Sequence, residues 1–242
     1  MNQHKPSPKG AGRFYDAAWA EAGESGWNVL LDGRPVNTPQ RVRLTLPSEP
    51  LAEAVAQEWN AQEAEIKPTA MPLTRLANSA IDRAAPRRDE VIEGLVAYGE
   101  TDLLCYRAEW PEKLTIRQAE AWDPILAWAH EALGADLRVV AGVMHAAQPR
   151  ESIDALDEAL RAYDNFALTA MNQMTTLTAS LVLTLAIAHQ RLRVEEAWRA
   201  AHVDEDWQIA QWGEDAAAKQ RREAQWADMA AAARFLRLAR ES

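Results

Sequence analysis

Two hydrophobic periodicities meet at Pro47, and their meeting limits what this chain can fold into more than any other feature. From Arg13 to Pro47 the signals are those of strands, in "RFYDAAW", "GWNVLLDGRPV" and "RVRLTL". Strand side chains alternate between the two faces, so "RVRLTL" puts Val42, Leu44 and Leu46 on one face and Arg41, Arg43 and Thr45 on the other. Asp32-Gly33 lies between β-prone runs and reads as a hairpin turn, because aspartate and glycine tolerate the positive φ of a tight turn.

Helical spacing takes over after Pro47. Ser48 is placed to cap a helix that admits Pro50 in its first turn, with Leu51, Val55 and Trp59 as one apolar stripe. "MPLTRLANSAIDRA" and "RRDEVIEGLVAYGE" read as further helices, punctuated by Pro86 and Gly99. "EKLTIRQAEAWDPILAWAHEALG" should stop at Gly134. "LRVVAGVM" reads as a strand, and nearly everything beyond Pro149 as helix. The segment from Thr178 to Ala188 is apolar almost all round and should be the central helix of that half. The last helix points Trp226, Met229, Ala230, Ala233 and Leu236 inward and keeps Arg222, Arg234, Arg237 and Arg240 at polar positions. The expected fold is α+β: a small β-rich N-terminal domain, residues 1–75, then a larger all-helical domain, residues 76–242.

At 242 residues with 48% hydrophobic side chains, the chain can bury a sizeable core. Its formal net charge of −10 disfavours unspecific binding to nucleic acid or anionic membrane and permits a partner with basic patches. The single cysteine, Cys105, rules out an internal disulfide, and its apolar neighbours mark it as a buried, inert thiol. The first residues, "MNQHKPSPKGAGRFYD", read as a short tail without signal or transit character. The longest apolar run, "LTASLVLTLAIAH", falls short of the ~20 residues that cross a bilayer, so the chain is expected to be soluble. Glycines form no phosphate-binding fingerprint, and the histidines His4, His130, His145, His189 and His202 show no metal-ligand spacing. No nucleophile-elbow motif is present either. Neither cofactor nor metal is expected.

The stretch "DEDWQIAQWGED", residues 204–215, looks like chemistry at first sight. On a continuous helix at about 100° per residue, Val203, Trp207, Ala210 and Ala217 share one side, with Glu214 among them. Ile209, Trp212 and Ala216 share nearly the opposite side, with Glu205 among them. Asp204, Gln208, Gln211 and Asp215 form a polar strip between. A carboxylate centred on an apolar face needs a partner, the rim or water. Three readings follow: ion pairs with neighbouring arginines, a docking surface for a protein, or a metal-binding cluster. The third suffers because the adjacent acids of residues 204–206 point in three directions.

The motifs "GWNVLLDGRPVNTP…LTLPS", "EWNAQ", "MPLTRLANSAID", "TDLLCYRA", "WDPILAW" and "DEDWQIAQWGEDAAA" occur in this order over almost the whole chain. Together they resemble the assembly chaperones for the soluble catalytic head of F-type ATP synthase, those that handle the α subunit. The resemblance implies a small β domain joined to a helical domain, no catalysis and no cofactor. It implies a protein client, the unassembled α subunit, shielded until the β subunit replaces the chaperone. It also implies a bacterial cytoplasmic protein, or a mitochondrial matrix protein if the chain is a mature eukaryotic one.

Carried onto this sequence, the family's acidic motif supplies Glu205, Trp207, Gln208, Gln211, Trp212, Gly213, Glu214 and Asp215 as the client-binding surface. Trp59 is expected to pack the first helix. Arg75, Asn78, Asp102, Tyr106 and Arg107 are expected to form an interdomain hydrogen-bond network. Thr69-Ala70 and Ala217 depart from the family's pattern, and the latter bears on how far the acidic strip extends. The competing expectation from a different class is an enzyme or small-ligand binder using Arg75 with Glu205 or Glu214 in an interdomain pocket.

Overall fold

The computed structural model describes residues 12–142 and 144–241, so the tail reading and His4 lie outside the described residues. Strands β1 (Ala18–Gly23) and β2 (Gly26–Leu31) pair antiparallel, with Ala18 opposite Leu31 and Gly23 opposite Gly26. Asp32 and Gly33, at φ 47° and 78°, turn the chain into β3 (Arg34–Pro35), as both residues of a type I′ hairpin must. The Asp32 carboxylate accepts from the backbone N–H groups of Asp16 and Ala17, which hold its pKa below the ordinary aspartate value. Strand β4 (Thr45–Leu46) pairs with β2.

Alternation in "RVRLTL" is only half realised. Leu44 and Leu46 are buried, but Val42 is 49% exposed. The strand is cut short because the Thr38 N–H donates to the Val42 carbonyl and Arg41 takes a left-handed φ of 65°, which turns the segment out of the sheet. "RFYDAAW" likewise starts its strand only at Ala18.

Ser48 Oγ accepts from the Leu51 N–H at 3.3 Å and starts α1 (Glu49–Asn60). Leu51, Ala52 and Val55 of α1 join Val29, Leu31, Leu44 and Leu46 of the sheet in a buried cluster that continues through the helices to Phe235. Helix α2 (Pro72–Ser79) runs into a π-turn over Ala80–Ala84 and a short 3₁₀ turn before α3 (Arg88–Glu100). Gly99 does not stop α3 at that residue. It lies inside the helix, where an added Cβ would come within 2.7 Å of Leu156 Cδ1, so it sets how closely the later helix Arg150–Arg161 approaches.

A two-residue strand β5 (Tyr106–Arg107) pairs parallel with β6 (Val140–Ala141), which among the described residues is all that forms of the strand expected in "LRVVAGVM". Between them, α4 (Glu112–Leu133) ends on Gly134 at φ 74°. Then follow α5 (Arg150–Arg161), α6 (Asn165–Thr178), α7 (Leu181–Ala188), α8 (Val194–Ala201), α9 (Val203–Trp212) and α10 (Ala216–Ala239). The apolar segment from Thr178 is broken by Ala179 at φ 52°, and Ser180 caps α7 afresh. Residues Leu181–Ala186 and Ala188 are buried, and α3, α4, α6, α8 and α10 surround them. Met229 and Leu236 point inward from α10 together with Ala232 and Phe235, while Trp226, Ala230 and Ala233 are half-buried. The fold is α+β with a larger helical part. Among the described residues, no helix is long and apolar enough to cross a membrane.

Candidate functional site

The acidic stretch does not form one continuous helix. Gly213, at φ 83° and ψ 172°, ends α9 in a backbone region that essentially only glycine occupies. Asp215 then opens α10 as its N-cap, accepting from the Ala218 N–H at 3.0 Å. The facial arrangement expected for residues 203–217 is therefore corrected. Glu214 and Asp215 belong to a bend between two helices, and Ala216 and Ala217 lie exposed on the second helix.

No residue of α9 is fully buried, and polar contacts fix its position. On one side, Gln118 Nε2 of α4 donates to Asp204 Oδ1 at 2.6 Å, and the Arg117 guanidinium lies 5.1 Å from the centre of the Trp207 ring. On the other, Arg222 of α10 donates to Asp206 at 2.5 Å and approaches Glu205 at 3.9 Å. His202 Nε2 lies 3.7 Å from the Glu205 carboxylate, while its Nδ1 faces the Trp198 carbonyl at 2.7 Å. The acids of residues 204–206 take two directions and not the three expected. Asp204 turns inward toward α4, and Asp206 and Glu205 turn to α10. Asp204 is thus a tether and not a member of an outward polar strip.

That leaves an outer surface of Gln208, Gln211, Trp212, Glu214 and Asp215, all exposed, with Trp212 at 78%. Ile116, 50% exposed, lies on α4, the helix beneath α9. Gln118 was missed in the sequence, although it carried a signal. It stands four residues from Leu114 and four from Trp122 on the inward stripe of α4, so a buried amide was to be expected there. It is fully buried, and its Oε1 also accepts from the Ala108 N–H at 2.8 Å. Among the described residues, no three His, Cys, Asp or Glu side chains converge as a metal site would require.

Trp59, expected to pack the first helix, and the residues expected to form one interdomain network fall into three groups joined by no hydrogen bond among the described residues. Trp59 is half-buried, meets Tyr15 edge-on at 5.7 Å and accepts at its carbonyl from the Tyr15 hydroxyl. Arg75 pairs across α2 and α10 with Asp228 at 3.4 Å, not with Glu205 or Glu214, and Asn78 Oδ1 is buried without a partner. Asp102 and Arg107 share the turn at Leu103–Cys105. The Asp102 carboxylate accepts from the Leu104 N–H at 3.1 Å and from the Val182 N–H, at the start of α7, at 3.0 Å. Burial pushes its pKa up to about 6 against the N–H of Val182, the Ser180 side chain and the N–H of Leu104, which hold it down. Arg107 donates to the Leu104 carbonyl and to Asp123, and lies over the Trp122 ring. Tyr106 reaches toward His145 Nδ1 at 3.3 Å. Cys105 is buried, and desolvation with the nearby Asp102 pushes its thiol up to about 12, so it stays protonated and unreactive.

Comparison with known proteins gives this architecture a lineage. A family model described as ATP12 chaperone protein matches residues 12–130. The crystal structure of Atp12 from Paracoccus denitrificans aligns with a TM-score of 0.91 at 43% sequence identity, over 95% of this chain and 99% of that one. The chain belongs to the ATP12 chaperone family. A charge-reversed aspartate-to-lysine variant of P. denitrificans Atp12p is 42% identical, with a TM-score of 0.91 over 95% of this chain and 98% of that one. A candidate chaperone from Agrobacterium tumefaciens is 44% identical, also at 0.91, over 94% of this chain and 85% of that one. The likeness to these solved structures, over 94–95% of the chain, takes in both the sheet and the helical part.

Proposed function

We propose that this ATP12-family chain is an assembly chaperone for F-type ATP synthase. It binds the unassembled α subunit of the catalytic head and shields it until the β subunit arrives. The observation that carries the reading is the outer surface of α9: an exposed Trp212, framed by Gln208, Gln211, Glu214 and Asp215, on a helix that polar tethers hold to the body. An aromatic anchor with a polar rim suits protein docking, where apolar burial supplies affinity and acids set register and encounter rate. Release by competition with the β subunit needs no nucleotide and no catalytic step. The protein works in the bacterial cytoplasm, or in the mitochondrial matrix if the chain is eukaryotic.

The test is light scattering of the isolated α subunit as it aggregates, with the chaperone and then with added β subunit. Suppression at near-equal stoichiometry, relieved by the β subunit, is the expected result. Glu214→Lys should weaken the complex and leave the melting temperature unchanged, since Glu214 is exposed in the bend. Full aggregation in the presence of the wild-type chain would reject the reading.

A further inference from the structure

A second surface, remote in sequence from α9 and opposite to it in charge, lies where the sheet meets the helices. The loop leading into β4 and the π-turn after α2 enclose an open groove of about 540 Å³, lined by Val42, Arg43, Thr45, Ile81, Ala85 and Asn165 among others. Three features that look unrelated meet in it. Val42 is an exposed branched side chain that sequence alternation places inside. The π-turn at Ala80–Ala84 is followed by the exposed Ala85, and π-turns concentrate at functional sites. The Asn165 side chain, at the first turn of α6, keeps a buried Oδ1 with no hydrogen-bond partner.

The charge of the rim selects among occupants. Arg41 and Arg43 on the loop and Arg83 and Arg87 on the turn are all exposed, and none forms an ion pair within 4.0 Å among the described residues. The acids beside them in the chain are engaged: Asp82 accepts from the Thr38 hydroxyl and the Gln40 N–H, and Asp89 pairs with Arg161. Asp82 also locks the loop onto the turn, so the groove is preformed. Arg43 lines the slot, and Arg41, Arg83 and Arg87 stand on the same loop and turn, a concentration of cations without ion pairs that is unusual in a chain of net charge −10. They favour an occupant that is anionic at its rim and apolar where it meets Val42 and Ile81. Among the described residues, strand β4 pairs with β2 alone, and an extended chain can add to a strand of that kind. The aromatic side chain in the groove lining, Phe166, is half-buried and stacks on Phe235 with ring centres 6.4 Å apart, so it offers no free platform for a nucleic-acid base.

We infer that this groove binds an extended, acidic segment of a partner protein, seating a branched apolar side chain against Val42 and Ile81 while its carboxylates meet Arg41, Arg43, Arg83 and Arg87. The inference rests on the chaperone reading only for which protein supplies the segment, and designed peptides test the groove by itself.

The experiment is fluorescence anisotropy of the full chain with a labelled peptide of alternating Asp and Val, beside its Lys–Val counterpart and a labelled single-stranded RNA. The expected result is binding of the acidic peptide alone, weakened by salt. Val42→Asp and Arg43→Glu should each weaken it at least tenfold. Arg150→Glu, the same charge change at a side chain 86% exposed on α5, should leave it within twofold. Melting temperatures of all three variants show whether the fold is kept. Val42 and Arg43 are both exposed, so a loss of binding reports on the groove and not on unfolding. Absence of acidic-peptide binding, an equal loss with Arg150→Glu, full binding by Val42→Asp, or preference for the RNA would each overturn the inference. None of these outcomes bears on whether the chain protects the α subunit from aggregation.

Discussion

Helices α7 and α9 are both short and both sit in the C-terminal half, yet opposite physics holds them. All but one of the residues of α7 are buried, and its capping groups, Ser180 and Asp102, are buried as well. Helix α9 buries no residue fully and is located by a hydrogen bond to α4, a cation–π contact and ion pairs to α10. Burial is non-directional and strong, so α7 is fixed wherever its neighbours close around it. Polar tethers are directional and individually weak, so α9 is oriented without being committed to the core. A docking element needs that combination, and elements that open first are drawn from regions with few buried apolar contacts.

The largest effect that separates the two helices is a truncation in α7. Leu183 is 0% exposed, and Leu183→Ala should cost about 2–5 kcal/mol, the range for a buried leucine whose site collapses only partly. Denaturant unfolding checks it, and a loss under ~1 kcal/mol would mean that α7 is not the centre of the core. The cap of α7 adds a pH signature. Asp102 titrates at about 6 in the folded protein against an ordinary 3.8, so the folded state holds its proton more tightly than the unfolded state does. Stability from this group is therefore greatest below the unfolded value, falls as pH rises between about 4 and 6, and is flat above. The wild type should lose on the order of 2–3 kcal/mol relative to Asp102→Asn across that window, read as the shift in urea midpoint with pH. A relative gain on raising the pH would show that the N–H donors at the α7 terminus outweigh burial.

For α9 the corresponding effect is smaller. Arg222→Ala removes the cation shared by Asp206 and Glu205, whose side chains are 43% and 42% exposed. Solvent screens such pairs, and the expected loss is about 1 kcal/mol, reduced further by salt. The sharper readout is the amide hydrogen exchange of α9, which should rise while that of α7 stays unchanged. Equal increases in both helices would mean that α9 is coupled to the core as α7 is.

Which parts of this arrangement could be read from sequence follows from the range of the interactions. Ser48, Asp32-Gly33 and Gly134 announced a cap, a turn and a helix stop because each acts within a few residues of itself. The break at Gly213 was readable on the same terms. Glycine followed by Asp215 and a run of alanines is a stop and a restart, but a helical wheel drawn through residues 203–217 hides it. Val42 escaped because closure of its loop depends on Thr38 and on the distant Asp82. Asp204 escaped because its partner, Gln118, lies in another helix. Ala179 carries no local signal for its left-handed φ of 52°. The junction of α6 and α7 is imposed by packing and by the Thr178 and Ser180 side chains. Sheet and helix identity was therefore legible, and the direction in which each acid faces was not.

The smallest expected change in stability belongs to the residue expected to matter most for the client. Trp212 is 78% exposed at the C-terminal end of α9, so Trp212→Ala removes little area that folding had taken from water and should shift stability by less than ~0.5 kcal/mol. Exposed tryptophan on a polar-framed helix nevertheless has the chemistry of an interface anchor, for which truncation costs about 2 kcal/mol or more of binding. The two numbers diverge only if the side chain is used by something outside the fold. Calorimetric titration of the α subunit, or anisotropy of a labelled one, measures the second, and thermal unfolding measures the first. An unchanged affinity alongside an unchanged melting temperature would move the docking surface away from α9. A lowered melting temperature would instead place Trp212 in packing, and the difference between α7 and α9 would shrink accordingly.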